Sequence, residues 1–228
     1  MDSVIIDWVN GFVGQSATFD RFVELIAVNP LVKGVPIAAL FLFLWFLPRV
    51  DHNFARLRLV ALLGVAMVAI LLGRMAAVLF PYRPRPLHSE ALDLQLPIGI
   101  SPTELDGWSS FPSDHAVLYA ALVTGFWIVN RWAGMAAALH ALFVIAFGRV
   151  FLTLHFPSDI LGGAVIGVIV TLVLLPMTAK LVRRAGVLGM AERWPQYFHP
   201  SVFIVLFQIA TMFDSARAIV KAAVDFIT

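Results

Sequence analysis

Past the middle of the chain, Arg149, His155 and Asp159 close one hydrophobic segment and open the next in the stretch GRVFLTLHFPSD. Separations of six and four residues let one turn-like segment aim a fixed cation, a titratable imidazole and a carboxylate at one point. That layout suits an anion site with a nucleophile beside it: a carboxylate that accepts one ring N–H leaves the other imidazole nitrogen free to attack. Two earlier stretches, PYRPRP ending at Pro86 and FPSDHA with Ser113 and His115, also stand at the ends of hydrophobic segments. Arg85 lies between two prolines, so a stiff backbone presents a planar fork of donors matched to two phosphate oxygens. Arg83 and Arg85 are equally suited to anchoring a membrane span at headgroups. Ser113 follows Pro112 and either caps the next helix or, with the free N–H groups of that helix, faces an anion. His115 falls in the first turn of the same helix, where an imidazole can donate a proton near neutral pH to a departing oxygen.

The elements that must carry these groups are set by the solvent. Of 228 residues, 61% are hydrophobic and only 13% charged, and the mean hydropathy of +0.90 is too high for a soluble domain. An all-α, polytopic membrane protein is expected. The formal charge of +2 leaves no nucleic-acid footprint, and the absence of cysteine removes disulfides, thiolate metal sites and a cysteine nucleophile. The opening MDSVIIDWVNG lacks the basic start of a cleavable signal, so the spans themselves are expected to direct insertion.

Val4 to Val28 is too polar to span and reads as an interfacial helix. Spans are expected at Leu31 to Leu47, Leu59 to Phe80, Ala116 to Asn130, Ala133 to about Leu154 and Ile160 to Ala179. Lys33, near the end of the first, is expected to snorkel toward headgroups. A sixth run, Ser201 to Phe213, is short for a span and continues into an amphipathic stretch. Basic residues at 49 to 58, Arg131 and 180 to 184 fall on one side of this drawing, which positive-inside assigns to the cytoplasm. The catalytic candidates then face outside. His140, in mid-span without a charged neighbour, reads as packing or an interhelical hydrogen bond, and Gly163 and Gly167 as a helix-packing face.

Taken together, Arg85-Pro86, Pro112-Ser113-Asp114-His115, and Arg149 with His155 and Asp159 resemble the three signature blocks of the type 2 phosphatidic acid phosphatase and vanadium haloperoxidase superfamily. The resemblance covers roughly residues 74 to 167. It implies a six-helix transmembrane bundle, here with the N-terminal interfacial helix, in a single membrane domain over 1–228 whose phosphatase core is about 59–179. It implies that His155 attacks phosphorus to give a phosphohistidine, that Asp159 orients it, and that His115 protonates the leaving oxygen. Arg85, Ser113 and Arg149 would hold the phosphoryl oxygens, with no metal and no other cofactor. The expected partner is an amphiphilic lipid phosphate in the cytoplasmic membrane, polyprenyl (undecaprenyl) diphosphate first. Phosphatidic acid, phosphatidylglycerophosphate or a phosphorylated glycolipid anchor come next.

Three positions depart from the family. Its first block begins with a lysine seven residues before the second arginine, and Val78 stands there. Gly148 replaces a serine, and Asp114 replaces a glycine. The missing lysine motivates an alternative, a lipid-phosphate binding or transport protein with a degenerate site. If the site is active, Arg74, one helical turn before Val78, is expected to supply the phosphate cation, with Arg83 as the rival. A third reading keeps Arg74 as a packing residue paired with a carboxylate or loop carbonyls.

Overall fold

The computed structural model describes residues 1–48, 51–89 and 91–214. The amphipathic stretch beyond Asp214 and Arg49 of the first basic cluster lie outside the described residues. Every regular element within them is helical. In order these are α1 (Asp2–Asn10), α2 (Ala17–Val28), α3 (Pro30–Lys33), α4 (Val35–Phe46), α5 (His52–Leu79) and α6 (Asp114–Val129), followed by α7 (Arg131–His140), a π-helical turn (Ala141–Ala146), α8 (Phe147–Phe151), α9 (Pro157–Arg184), α10 (Val187–Arg193) and α11 (Pro195–Ala210).

Three uninterrupted stretches are long and apolar enough to cross a membrane: His52–Leu79, Arg131–Phe151 and Pro157–Arg184. A fourth candidate is a bent pair, Ala17–Val28 with Pro30–Phe46, turning by 64°. One expectation changes here. The segment expected to be one interfacial helix is split into α1 and α2 at a turn where Gly14 has φ +77°, and α2 belongs to the bent pair. The expected first span, Leu31 to Leu47, corresponds to the second arm of that pair: Asn29 caps α3 through Leu31 N–H (2.8 Å), Pro30 cannot continue α2, and after a turn at Gly34 the chain goes on as α4. Asp114–Val129 and α11 are apolar, and at 16 residues each they are shorter than the three long candidates.

The core is a three-helix sandwich of α5, α6 and α9. Gly73 on α5 packs on Val117 of α6, and near the other end Gly125 of α6 packs on Leu62, so α5 and α6 are antiparallel. Helix α9 runs parallel to α6: Gly163 lies against Ser113 and Ala116, Gly167 against Val117 and Ala120, and Thr171 donates to the Ala121 carbonyl at 3.2 Å. A Cβ on Gly163 would sit 2.6 Å from the Ser113 carbonyl oxygen, so the two backbones approach as only glycine permits. The opposite face of α9 exposes Leu161, Val165, Ile169, Leu172 and Val173, as a lipid-facing helix does. This arrangement brings the C-terminus of α5, the N-termini of α6 and α9 and the end of α8 to one end of the bundle. The long 80–113 connection returns over that end, tied by Leu87 N–H to the Thr153 carbonyl (3.1 Å) and Ser110 N–H to the Arg83 carbonyl (2.8 Å).

Candidate active site

A cavity of about 490 Å³ opens at this end of the bundle. His155 and Arg85 line one part of it, His115 and Arg149 another, and Lys33, Arg74, Asp114, Glu104 and Asp214 complete its charged wall. His155 is 4% exposed and stands in the short junction between α8 and α9. Its Nδ1 lies 2.8 Å from the Ser110 carbonyl oxygen, an acceptor only, so Nδ1 carries the proton. The Nε2 lone pair then faces the cavity beside Arg85 Nη1, at 3.2 Å. Burial lowers the His155 pKa, the nearby Asp159 carboxylate opposes the shift, and the Arg85 charge adds to it. The balance keeps the ring neutral, the form a nucleophilic imidazole needs.

Arg85 is clamped by three carbonyls, Leu154 at 2.7 Å and Trp108 and Ser109 at 3.3 Å each. Asp159 does not make the ring hydrogen bond expected of it: its Oδ2 is 3.8 Å from His155 Nδ1. Its carboxylate accepts instead from the Ser110 hydroxyl, the Phe156 N–H (2.8 Å) and Arg83 Nη1. Asp159 therefore holds the peptide whose carbonyl holds His155, and it caps α9 at the same time.

Across the cavity, Asp114 Oδ1 accepts from His115 Nδ1 at 2.9 Å, and His115 Nε2 meets an Arg149 terminal nitrogen. Arg149 is 7% exposed, and among the described residues its Nε is a buried donor with no hydrogen-bond partner. A buried guanidinium with an unmet donor on a polar cavity is arranged for an anion.

The other expected phosphate ligands are placed differently. Ser113 is fully buried, caps α6 through Ala116 N–H (3.4 Å) and does not line the cavity. Arg83 points away from it, bonding Asp2 (2.8 Å), Ser158 (2.8 Å) and Asp159 while lying over the Phe156 ring. Arg74 does line the cavity, with Nε 3.6 Å from Asp114 and a terminal nitrogen donating to the Met212 carbonyl at 3.1 Å. Val78 is 77% exposed, on the outer side of α5.

Four contributors escaped the sequence reading: Lys33, Ser110, Trp108 and Asp2. Only Lys33 carried a usable signal, a charge in an apolar run just after the Asn29-Pro30 helix break. Asp2 acts from the far end of the chain, bonding Ser158 N–H (3.0 Å) and Arg83, which no local pattern announces.

Residues 58–183 match the family model described as PAP2 superfamily. The Escherichia coli K12 protein YbjG, named as a candidate undecaprenyl-diphosphatase, is 32% identical over 157 residues, covering 68% of this chain and 72% of its own. The crystal structure of Aquifex aeolicus LpxE shares the fold, with a TM-score of 0.51 at 21% identity over 75% of this chain and 93% of that one. With its two histidines on one cavity and more than half its length matched, the chain belongs to the PAP2 superfamily of phosphatases.

Proposed function

We propose that the protein removes the terminal phosphate of an amphiphilic lipid diphosphate, polyprenyl diphosphate above all, through a phosphohistidine on His155 at the outer face of a cytoplasmic membrane. The observation that carries this is the pairing of His155 Nε2, fixed by Ser110 and facing the cavity beside Arg85, with His115 on the same cavity. His155 Nε2 attacks the terminal phosphorus while the bond to the lipid-side oxygen breaks. His115, entering the step as an imidazolium whose Nδ1–H is held by Asp114, gives that oxygen its Nε2 proton and becomes neutral. Water then attacks the phosphohistidine, His115 takes the water proton, and inorganic phosphate leaves with His155 restored. Arg85 and Arg149 hold the phosphoryl oxygens as their charge builds. Guanidinium groups do here what a divalent ion would otherwise do, and their charge opposes one binding among them. The likeness to a candidate undecaprenyl-diphosphatase supports the diphosphate as first substrate.

Purified protein in detergent should release phosphate from a polyprenyl diphosphate in excess EDTA. His155→Ala should abolish both turnover and phosphoenzyme, a loss of at least about 10³-fold. Turnover that vanishes on chelation and returns with a divalent ion, or a phosphoenzyme that persists in His155→Ala, would refute the mechanism. The same assay tests a second reading, a binding or transport protein, which the exposed Val78 at the family's lysine position favours. That reading requires lipid binding without phosphate release. Phosphatidic acid and phosphatidylglycerophosphate in the same panel rank the substrates.

A further inference from the structure

Lys33 ends the four-residue helix α3, at the bend between α2 and α4, and is only 5% exposed. It lines the cavity with the two histidines. Its position is held from three sides. The Lys33 carbonyl accepts from the Tyr119 hydroxyl at 2.6 Å and faces His140 Nε2 at 2.8 Å, two side chains from different helices. At the adjacent Gly34 a Cβ would lie 2.6 Å from the Ala210 side chain, so α11 closes the third side. A helix break, two hydrogen bonds to one carbonyl and a glycine contact thus fix one ammonium-bearing residue at the cavity wall. His140, which takes no part in the chemistry above, is used here.

The placement is on one side of the reaction. Tyr119 lies one turn beyond His115 on α6, so its bond to Lys33 seats α3 against the helix of the general acid. Lys33 and His115 line the same cavity. Arg85, in contrast, stands beside the nucleophile at 3.2 Å. In an in-line displacement the leaving group departs on the side of the acid. If the leaving group is an alcohol it carries no charge once protonated, and a second cation there contributes little. If it is a lipid monophosphate it is an anion, and a lysine beside it stabilises both its binding and its departure.

We propose that Lys33 holds the phosphate that stays with the lipid, and so selects lipid diphosphates over lipid monophosphates. This assignment rests on the phosphatase reading above. The test compares kcat/KM for a polyprenyl diphosphate with that for the matching monophosphate in wild type, Lys33→Met and Lys33→Arg. Loss of one charge-assisted hydrogen bond should lower the diphosphate value about 10- to 100-fold further than the monophosphate value. Lys33→Arg should recover most of the ratio. His140→Gln, which loosens the seat and keeps the charge, should move the ratio in the same direction by a smaller factor, and it stands in if Lys33→Met does not fold. An unchanged ratio in an active, folded Lys33→Met protein, or in His140→Gln where that variant stands in, would overturn the assignment alone. A wild-type protein that hydrolyses neither lipid would overturn the phosphatase reading and the Lys33 role with it.

Discussion

At the scale of single residues, the decisive quantity is the protonation state of His155. Burial pulls its pKa below the ordinary imidazole value and the nearby Arg85 charge adds to this, against the opposing Asp159 carboxylate. Attack requires the neutral ring, so lowering the pKa extends the active form to more acid pH. Protonation switches the proposed nucleophile off only below the shifted pKa, and stability is lost as pH falls from about 6.5 through that pKa, because there the unfolded chain binds a proton that the folded ring does not. In isotope-labelled protein, the imidazole resonance that disappears in His155→Ala should titrate below about 6.5, the value for a free side chain. A titration above that value would mean the ring is held as a cation, unfit to attack. Arg149, His155 and Asp159 were legible as one cluster because they are close in the chain. The geometry around them was not. Residues two apart in an extended backbone would share a face, so the spacing of Arg83 and Arg85 did not announce that they part. Arg85 turns inward to His155, while Arg83 turns outward to Asp2 and Asp159.

At the scale of elements, apolar runs located α5, α6 and α9 well, since a long lipid-facing helix is mostly a matter of uninterrupted hydrophobicity. The same measure found the run at 31–47 but is blind to direction, so it missed the 64° bend just before it. That bend falls at Asn29-Pro30, and Lys33, just after it, lines the cavity. The packing of α6 on α9 has its own requirement. A Cβ on Gly167 would collide with the Val117 carbonyl oxygen and stand 3.0 Å from the Ala120 Cβ and the Ala121 nitrogen. Backbone atoms cannot turn aside as a flexible side chain can, so Gly167→Ala must push the helices apart. The expected cost is about 1–3 kcal/mol, seen as a lower melting temperature in detergent. His115 on α6 and Asp159 on α9 would separate with them, so turnover should fall in the protein that remains folded. A variant with unchanged melting and full turnover would show that α9 is not held at this contact.

At the scale of the whole molecule, the site and the basic residues occupy opposite ends. Arg56 and Arg58 begin α5, Arg131 begins α7, and Arg183 and Arg184 end α9. Because α5 and α6 are antiparallel and α9 runs with α6, all of these lie at the end away from His115 and His155. Positive residues are retained on the cytoplasmic side during insertion, so this distribution supports the proposed orientation, with the cavity toward the outer leaflet. The long connection over the site fits that orientation, since only it and the N-terminal helices would need to cross, and they carry acidic as well as basic groups. The natural chain has no cysteine, so a single introduced thiol reports unambiguously. Ser89→Cys, in the connection beside the site, should react with a membrane-impermeant thiol reagent added to intact cells. Asn53→Cys, exposed at the start of α5, should react only after the membrane is opened. The reverse pattern would place the cavity in the cytoplasm, and the lipid diphosphate would then have to be presented from the inner leaflet.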